Sequence, residues 1–318
     1  MTSPIGKDLL GLEPLSADQI RLILDTAEPF KEISERAIKK VPALRGQTIV
    51  NLFFEASTRT RISFEFAEKR LSADTVNVAA QGSSVSKGET LVDTARNLEA
   101  MRIDMVVIRH SASGAARFLA ERIESNVINA GDGTHEHPTQ GLLDLLTLRD
   151  RFKSFEGLRV CICGDVLHSR VARSDIQALV MCGARVTLVG PPPLLPRGID
   201  AMGCEVASDI GAIGDADVVY VLRMQRERME AGANYVPSLR EYTARWGVTP
   251  ERLRPGQKVM HPGPMNRGVE IDPRVADHAD ALIETQVRAG LVTRMAVLYD
   301  LLTTGPVGVK TESPLEVA

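Results

Sequence analysis

The stretch FFEASTRTR (residues 53–61) combines hydroxyl and guanidinium groups in a pattern that could bind an anion. The apolar run before it predicts a buried strand, and the residues after it predict a helix, because their apolar positions recur at helical spacing. Ser57 and Thr58 fall at the helix start, where a hydroxyl cap is expected. Arg59 and Arg61 follow at once, although a helix N-terminus carries partial positive charge and favours acidic residues. Either these arginines are solvated by water, or hydroxyls, backbone N–H groups and an arginine fork converge on a phosphate, whose charge turns the repulsion into attraction.

Other polar segments also follow apolar, strand-like runs. They are Arg109-His110 at the end of MVVIRH, GDGTHEHPTQ after NVINAG, GDVLHSR after LRVCIC, RMQRER after DVVYVL and HPGPMNRG after KVM. Ligands of parallel α/β sheets bind beyond the carboxyl ends of the strands. We therefore expect these segments to contribute to a binding site.

Several common sites are not supported by the motifs. GxxxxGK[ST] and GxGxxG are both absent, so neither a Walker loop nor an NAD site is favoured, and no cofactor is predicted. His135 and His137 are spaced i, i+2 before a proline-started helix and have no third ligand at zincin spacing, so no metal site is predicted. Cys161 and Cys163 lie in a strand-like run, where buried structural cysteines are favoured over a metal pair. The segment SSVSKGET (residues 83–90) alone is typical of an exposed loop.

Composition points to a globular protein with no strong charge bias. The 318 residues are enough for two domains, with 44% apolar and 25% charged residues. A net charge of -3 and a pI near 6.1 give no reason to expect nucleic acid as a partner. No apolar run approaches the roughly 20 residues that span a bilayer, so no membrane association is predicted. Free thiols and the lack of an export signal favour the cytoplasm.

Val- and Ile-rich runs alternate with amphipathic stretches along most of the chain. The predicted strands are TIVNLFF, TVNVAA, MVVIRH, NVINAG, LRVCICGD, RVTLVG, DVVYVLR, KVMHPG and ALIETQ. Continuous apolar strands are typical of parallel sheets covered by helices on both faces. We predict an α/β fold of two domains, each a mainly parallel sheet flanked by helices. The boundaries are expected at residues 1–148 and 149–289, with a final helix from about 290 to 318 returning to the first domain.

Taken together, these motifs resemble the aspartate and ornithine carbamoyltransferases. FFEASTRT, KGET, Arg109-His110, HPTQ, GDVLHSR, RMQRER and HPGP occur in the family's order and spacing, from about Leu9 to the final helix. The resemblance implies transfer of a carbamoyl group from carbamoyl phosphate to an amino acid, without metal or covalent nucleophile. The aspartate branch, which the second half resembles more closely, implies N-carbamoyl-L-aspartate and phosphate as products, in pyrimidine biosynthesis.

The resemblance also implies roles for individual residues. Ser57, Thr58, Arg59 and Thr60 would bind the phosphate, while Thr60, Arg109 and His137 would polarise the carbonyl oxygen. The remaining implied contacts are Gln140 to the carbamoyl amide, Arg170 to the α-carboxylate, Arg223 and Gln225 to the β-carboxylate, Gly263 and Pro264 to the carbamoyl and amine region, and Lys87 with Ser83 reaching a neighbouring subunit's site. Arg61 and Arg294 are expected to be structural.

Two alternatives to an aspartate enzyme are considered. Ornithine enzymes carry a His-Cys-Leu-Pro loop, whereas this chain has His261-Pro262-Gly263-Pro264. Arg223 would repel ornithine's ammonium group and suits a dicarboxylate. A non-catalytic scaffold subunit is disfavoured because every charged site position is retained.

A lysine donated across a subunit boundary implies a homotrimer with shared active sites. The resemblance leaves open whether such a trimer stands alone, pairs with regulatory chains or joins a dihydroorotase. It also implies closure of the two domains as the second substrate binds.

Overall fold

Two parallel β-sheets form the framework of the protein in a computed structural model that describes residues 5–79, 89–229 and 235–303. The four-stranded sheet has the order β2-β1-β3-β4, and the five-stranded sheet has the order β7-β6-β5-β8-β9. All strand pairs within both sheets are parallel. The predicted fold class, two mainly parallel sheets flanked by helices, is confirmed.

The first sheet and its helices occupy the N-terminal half of the chain. Their bounds are α1 Ala17–Glu35, β1 Thr48–Phe53, α2 Thr58–Arg70, β2 Asp74–Ala79, α3 Leu91–Ala100, β3 Met105–His110, α4 Ala115–Ala120, β4 Asn126–Asp132 and α5 Pro138–Phe152. β1 and β3 are buried over most of their length, which explains their continuous apolar sequences.

The second sheet and the remaining helices follow. Their bounds are β5 Arg159–Cys163, α6 Arg170–Met181, β6 Arg185–Val189, β7 Glu205–Ala207, β8 Val218–Val221, α7 Leu239–Trp246, β9 Lys258–Met260, α8 Pro273–Ala276 and α9 Ile283–Thr303. Cys161 and Cys163 are buried and free in β5, as the strand-like sequence predicts.

One predicted strand is wrong and one observed strand was not predicted. ALIETQ (residues 281–286) forms only a single bridge, between Ala281 and Val259, before α9 starts at Ile283. Glu284 lies in the first turn of this helix, where a carboxylate is favoured by the helix dipole. The helix therefore begins about seven residues before the predicted position near residue 290. The unpredicted strand, β7, is a three-residue edge strand whose residues are largely exposed, so it lacks an apolar pattern.

The helix α9 joins much of the core together. It packs against α1, α2 and α5, and α5 in turn packs against α6 beside the second sheet. A single apolar cluster consequently includes residues from both sheets. None of the helices in the described ranges is both long and apolar enough to cross a membrane.

Each sheet has a point where its strand order reverses. In the first sheet the chain passes from β1 to β2 on one side and returns to β3 on the other. In the second sheet the same reversal lies between β5 and β8. Loops leave such a point in opposite directions and open a crevice at the carboxyl ends of the strands. The segments after β1, β3, β5 and β8 are therefore placed to form a ligand site.

A buried carboxyl group lies between helix α2 and strand β1. Glu68 is fully buried and accepts a 2.9 Å hydrogen bond from Asn51 Nδ2 in β1. Burial raises the pKa of Glu68 from 4.5 to about 7, although the hydrogen bond from Asn51 acts in the opposite direction. Asn51 Oδ1 has no hydrogen-bond partner in the described part of the chain. The site therefore favours a neutral group that can also donate.

We predict that Glu68→Gln increases the free energy of unfolding at pH 8. The pKa of Glu68 in the folded state is higher than the ordinary carboxyl value of 4.5, so protonation of Glu68 stabilises the folded state. This stabilisation is complete below about pH 4.5 and is lost as the pH rises to about 7. The advantage of the variant over wild type should grow by about 3 kcal/mol between pH 4.5 and pH 8. Denaturant unfolding at several pH values measures this difference.

Glu65→Gln is the matched control on the same helix. A hydrogen bond from Lys69 lowers the pKa of Glu65, so its removal should bring no gain of stability with rising pH. Equal pH profiles for Glu68→Gln and wild type would contradict the prediction.

Candidate active site

A cavity of about 760 Å³ lies at the carboxyl ends of both sheets. Its walls come from the start of α2, the ends of β3 and β8, the starts of α5, α6 and α9, and the loop after β9. The structure brings together twelve of the fourteen sequence-predicted site residues here: Ser57, Thr58, Arg59, Thr60, Arg109, His137, Gln140, Arg170, Arg223, Gln225, Gly263 and Pro264. The other two, Ser83 and Lys87, lie outside the described residues.

The start of α2 faces this cavity with its backbone N–H groups uncapped. Ser57 is the N-cap residue in extended conformation, but its side chain makes no capping hydrogen bond, so the predicted hydroxyl cap is wrong. The first turn contains no acidic residue. Uncapped N–H groups at a helix N-terminus, beside the hydroxyls of Ser57, Thr58 and Thr60, are a typical phosphate-binding arrangement. Arg61 does not line the cavity.

Arg59 extends from this helix start across the loop that follows β9. A Cβ atom added to Gly263 would lie 1.7 Å from Arg59 Nη1, so only glycine leaves room for the guanidinium in this position. Gly263 also has a left-handed φ of 61°, which glycine adopts without strain. Burial and the charge of Arg223 lower the pKa of Arg59, and no described carboxylate pairs with it. An anion in the cavity would supply the missing counter-charge.

Three arginines meet at one carboxylate, Glu55, just after β1. Glu55 Oε1 accepts hydrogen bonds from Arg109 at 2.7 Å and from Arg228 at 3.3 Å. Arg170 forms a bidentate pair with the same carboxylate, with Nη1 at 3.2 Å from Oε2 and a short contact to Oε1. Arg109 belongs to the first sheet, whereas Arg170 and Arg228 follow strands of the second. Glu55 therefore ties the two walls of the cavity together.

The charge states in this cluster are set by burial and mutual contact. Although burial raises the pKa of Glu55, the hydrogen bond from Arg170 and the nearby arginine charges bring it below its ordinary value. Burial and the adjacent Arg170 lower the pKa of Arg109 to about 9, which leaves it cationic at neutral pH. A Cβ at Gly131 would lie 3.0 Å from both Arg109 Nη1 and Arg170 Nε. Glycine at the end of β4 thus lets two guanidinium groups pack together.

His137 and Gln140 line the cavity from the start of α5. Burial and the charges of Arg109 and Arg170 lower the pKa of His137 well below its ordinary value, so the imidazole is neutral. Its Nδ1 has no hydrogen-bond partner among the described residues. Gln140 Nε2 donates to Asp144 at 3.0 Å, which orients the amide with its carbonyl oxygen away from that carboxylate. Both side chains are thus neutral hydrogen-bonding groups within a cationic site.

Arg223 and Gln225 are held together at the end of β8. Arg223 donates to Gln225 Oε1 at 3.0 Å and forms a short ion pair with Glu227. Asp165, after β5, accepts from the Gln225 backbone N–H at 3.0 Å and contacts His168 Nδ1 at 2.8 Å. This buried carboxylate fixes the loop after β8 to the loop after β5. Arg223 thereby faces the same cavity as Arg59.

The cavity carries a large excess of positive charge. Of the described residues that line it, six are arginines and two are carboxylates, which leaves a formal excess of four positive charges. One arginine, Arg294, is bound to Ser63 Oγ and the Gly290 carbonyl, both at 2.9 Å. Among the described residues, no three His, Cys, Asp or Glu side chains come together as a metal site. Such a cavity suits ligands with several negative charges.

Sequence reasoning left three cavity residues, Glu55, Glu227 and Arg228, and the buried Asp165 that anchors Gln225, without a role. Glu55, Arg228, Asp165 and Glu227 all lie within the motifs FFEASTRT, GDVLHSR and RMQRER. The contacts that Glu55, Arg228 and Asp165 make between loops link segments more than 50 residues apart, so no local spacing predicts them. Glu227 instead pairs with Arg223, four residues earlier. The signal in the sequence that could have identified these residues is that they are polar and follow directly after apolar strands.

The chain belongs to the aspartate/ornithine carbamoyltransferase family. Residues 7–150 match the model of the family's carbamoyl-P binding domain, and residues 156–301 match that of its Asp/Orn binding domain. The chain is 70% identical to an aspartate carbamoyltransferase catalytic subunit of Gemmatimonas aurantiaca, over 94% of both chains.

Two solved structures show how far the fold alone distinguishes the two branches. An aspartate transcarbamoylase of Trypanosoma cruzi in complex with N-(phosphonacetyl)-L-aspartic acid has a TM-score of 0.84 at 30% identity, covering 95% of this chain and 98% of that chain. An ornithine carbamoyltransferase of Pyrococcus furiosus has a TM-score of 0.82 at 29% identity, covering 95% and 99%. Neither backbone similarity nor identity to these two structures therefore separates the branches, whereas the 70% identity to the Gemmatimonas aurantiaca catalytic subunit favours the aspartate branch.

We predict that Glu55→Gln lowers the free energy of unfolding by about 3 kcal/mol, because three buried or half-buried guanidinium groups lose their counter-charge. Inorganic phosphate should restore part of this loss, since the anion replaces the missing charge. Unfolding of the variant and wild type at increasing phosphate concentration measures both effects.

Glu227→Gln provides the matched control. Glu227 also pairs with a cavity arginine, but its side chain is 54% exposed, so its loss should cost less than about 1 kcal/mol. Equal losses in both variants would show that Glu55 does not hold the arginine cluster.

Proposed function

We propose that this chain transfers the carbamoyl group of carbamoyl phosphate to the amino group of L-aspartate, giving N-carbamoyl-L-aspartate and phosphate. The observation that carries this proposal is the excess of four positive charges in one cavity of about 760 Å³. A phosphate dianion together with a dicarboxylate would balance this excess. The high identity to an aspartate carbamoyltransferase catalytic subunit supports the same conclusion.

We assign the donor to the wall formed by α2 and α5. The phosphate group would accept hydrogen bonds from the uncapped N–H groups of α2, the hydroxyls of Ser57, Thr58 and Thr60, and Arg59. The carbamoyl NH₂ would donate to the carbonyl oxygen of Gln140 and to backbone oxygens of the Pro262–Pro264 loop. Both contacts require a hydrogen-bond donor attached to the acyl carbon, and the NH₂ of a carbamoyl group is such a donor.

Aspartate would occupy the opposite wall. Arg170 is proposed to bind its α-carboxylate, and Arg223 with Gln225 its β-carboxylate. Arg170 is buried at the start of α6, and Arg223 is anchored by Gln225 and Glu227, which supports their use as fixed binding groups. An ornithine side chain would instead place an ammonium group beside Arg223, and such like-charge contacts cost several kcal/mol.

The chemical step follows from this placement. The neutral amine of aspartate attacks the carbamoyl carbon, and the carbonyl oxygen becomes an oxyanion. Arg109, Thr60 and neutral His137 would stabilise it by donating hydrogen bonds. The carbon–oxygen bond to phosphate then breaks and its electron pair leaves with phosphate, which takes up the proton that the amine loses. Because carbamoyl phosphate is already activated, orientation and charge stabilisation supply the catalysis.

Phosphate release from carbamoyl phosphate tests this function directly. We predict that aspartate supports release with a kcat/KM on the order of 10²-fold or more above that for ornithine, because Arg223 repels the ammonium group. Preference for ornithine would contradict the acceptor assignment. If neither aspartate nor ornithine supports phosphate release, the proposed function itself is contradicted.

We further propose that the active site is completed in a homotrimer. Ile62 and Phe66 of α2 and Val287 of α9 lie at the cavity but are 40%, 52% and 64% exposed, as expected for a surface that a second copy covers. Lys87, with Ser83, is proposed to enter the neighbouring subunit's site. We also propose a division into two domains, residues 1–148 and 149–289. A cytoplasmic location, which the four free cysteines support, is part of the same proposal.

Mixing two inactive chains tests the shared site. Neither Lys87→Ala nor Arg59→Ala alone should turn over substrate at a useful rate. In a random one-to-one mixture, roughly one site in four combines an intact Arg59 with an intact Lys87 from the neighbouring chain. We predict recovery of activity to about that fraction. Mass spectrometry verifies that trimers are mixed, and no recovery in verified mixed trimers would show that each site is self-contained.

A further inference from the structure

Two buried acidic side chains lie directly behind Gln140, outside the cavity lining. Asp144 is one turn after Gln140 in α5, and Asp175 belongs to α6. Both are almost fully buried, where an ionised carboxylate needs several hydrogen-bond donors. They mark a contact between α5 and α6 at the boundary of the two sheets.

Asp144 has the partners that an ionised carboxylate requires. Its Oδ2 accepts from Gln140 Nε2 at 3.0 Å and from the Tyr220 hydroxyl at 2.8 Å. Its Oδ1 accepts from Gln286 Nε2 at 2.7 Å. These donors come from α5, β8 and α9, so one carboxylate joins three elements. Arg294, also in α9, is the nearby cation.

Asp175 has the environment of a neutral acid. Neither of its oxygens accepts a hydrogen bond from a described donor group. Burial and the adjacent Asp144 raise the pKa of Asp175 well above its ordinary value, whereas burial raises that of Asp144 to about 6. Two adjacent buried carboxyls cannot both ionise. The proton therefore lies on Asp175, which donates it to Asp144.

This arrangement determines which end of the Gln140 amide faces the cavity. Because Asp144 accepts from the amide nitrogen, the carbonyl oxygen remains for a ligand. A second chain of hydrogen bonds runs from Asp144 through Gln286 to the opposite wall of the cavity, since Gln286 Oε1 accepts from the His261 backbone N–H at 2.9 Å. His261 Nδ1 in turn accepts from the Gly263 N–H at 2.8 Å. Asp144 thus supports both groups proposed to contact the carbamoyl NH₂.

We propose that Asp144 is a positioning residue that makes the donor site select an acyl phosphate bearing an NH₂ group, by fixing the Gln140 amide with its oxygen toward the cavity. Asp175 holds the proton that keeps the pair singly charged. The inference rests on the proposed function. It assigns the selection to a buried carboxylate that does not touch the substrate.

Acetyl phosphate provides the probe, because it carries a methyl group where carbamoyl phosphate carries NH₂. In Asp144→Asn, an amide nitrogen replaces one of the two carboxylate oxygens, so the three donors of the network are left with a single acceptor oxygen and the orientation of the Gln140 amide is no longer fixed. We predict that affinity for carbamoyl phosphate falls about tenfold or more. Affinities for acetyl phosphate and inorganic phosphate should stay unchanged. Competition binding with the three ligands measures the selection ratio.

Asp175→Asn is the matched control. An asparagine can donate to Asp144 as the neutral acid does, so this variant should keep the selection ratio of wild type. A loss of selection equal to that of Asp144→Asn would overturn the assignment of the proton to Asp175.

A double variant, Asp144→Asn with Tyr220→Phe, covers the case in which Asp144→Asn alone does not fold. The Tyr220→Phe change removes the hydroxyl donor that would oppose the new amide nitrogen. Without that hydroxyl, the amide nitrogen introduced at position 144 is free to face Gln140, whose oxygen turns toward it and whose NH₂ turns to the cavity, so selection for carbamoyl phosphate should again be lost.

The outcomes separate this inference from the proposed function. An unchanged selection ratio in a folded variant, or a parallel loss of inorganic phosphate binding, would overturn the role of Asp144 while wild-type turnover still supports the function. Failure of the wild type to bind carbamoyl phosphate would overturn the proposed function itself, and this inference with it.

Discussion

The site depends on holding like charges together within one cavity. Six arginines line it, and their repulsion must be offset by neighbouring carboxylates and by ligands. Glu55 carries much of this task because its carboxylate contacts Arg109, Arg170 and Arg228 at once. A cluster of this kind has little freedom to move apart, so the guanidinium groups are oriented before a substrate arrives. Preorganised charge of this type contributes strongly to catalysis.

The fold makes this concentration of charge feasible by assigning each charged group to the end of a strand or the start of a helix. Both reversals of strand order face the same crevice, so segments distant in sequence meet there. Gly131 and Gly263 allow guanidinium groups to approach the backbone more closely than any side chain would permit. Neutral His137 adds a hydrogen-bonding group without adding charge. Behind the site, Asp144 extends the same control to an uncharged amide.

The sequence predicts the framework and most of the cavity, since both depend on local patterns. Apolar runs identify eight of the nine strands, and the polar segments after them contain the twelve predicted residues that meet at the cavity. ALIETQ is the one predicted strand that the structure does not contain, because a short apolar run before Glu284 is equally compatible with a helix start. The short edge strand β7 is missed because it has only three residues, of which the first two are exposed, so it shows no run of buried apolar positions.

Pairing between distant side chains is what the sequence does not reveal. Glu55 stands in a recognised motif, but its partners lie 54, 115 and 173 residues away. The acidic pair behind Gln140 has no sequence signal, because an aspartate on a helix is usually exposed and only packing brings α5 against α6. Similarly, the failure of Ser57 to cap α2 depends on side-chain orientation rather than on residue type.

A crystal structure with N-(phosphonacetyl)-L-aspartic acid bound tests the central claim most directly, because this compound carries a phosphonate and a dicarboxylate in one molecule. Our account predicts that Arg59 contacts the phosphonate and Arg223 contacts the carboxylate at the opposite end. If both arginines instead point into solvent, the cationic cavity does not serve the two substrates as proposed.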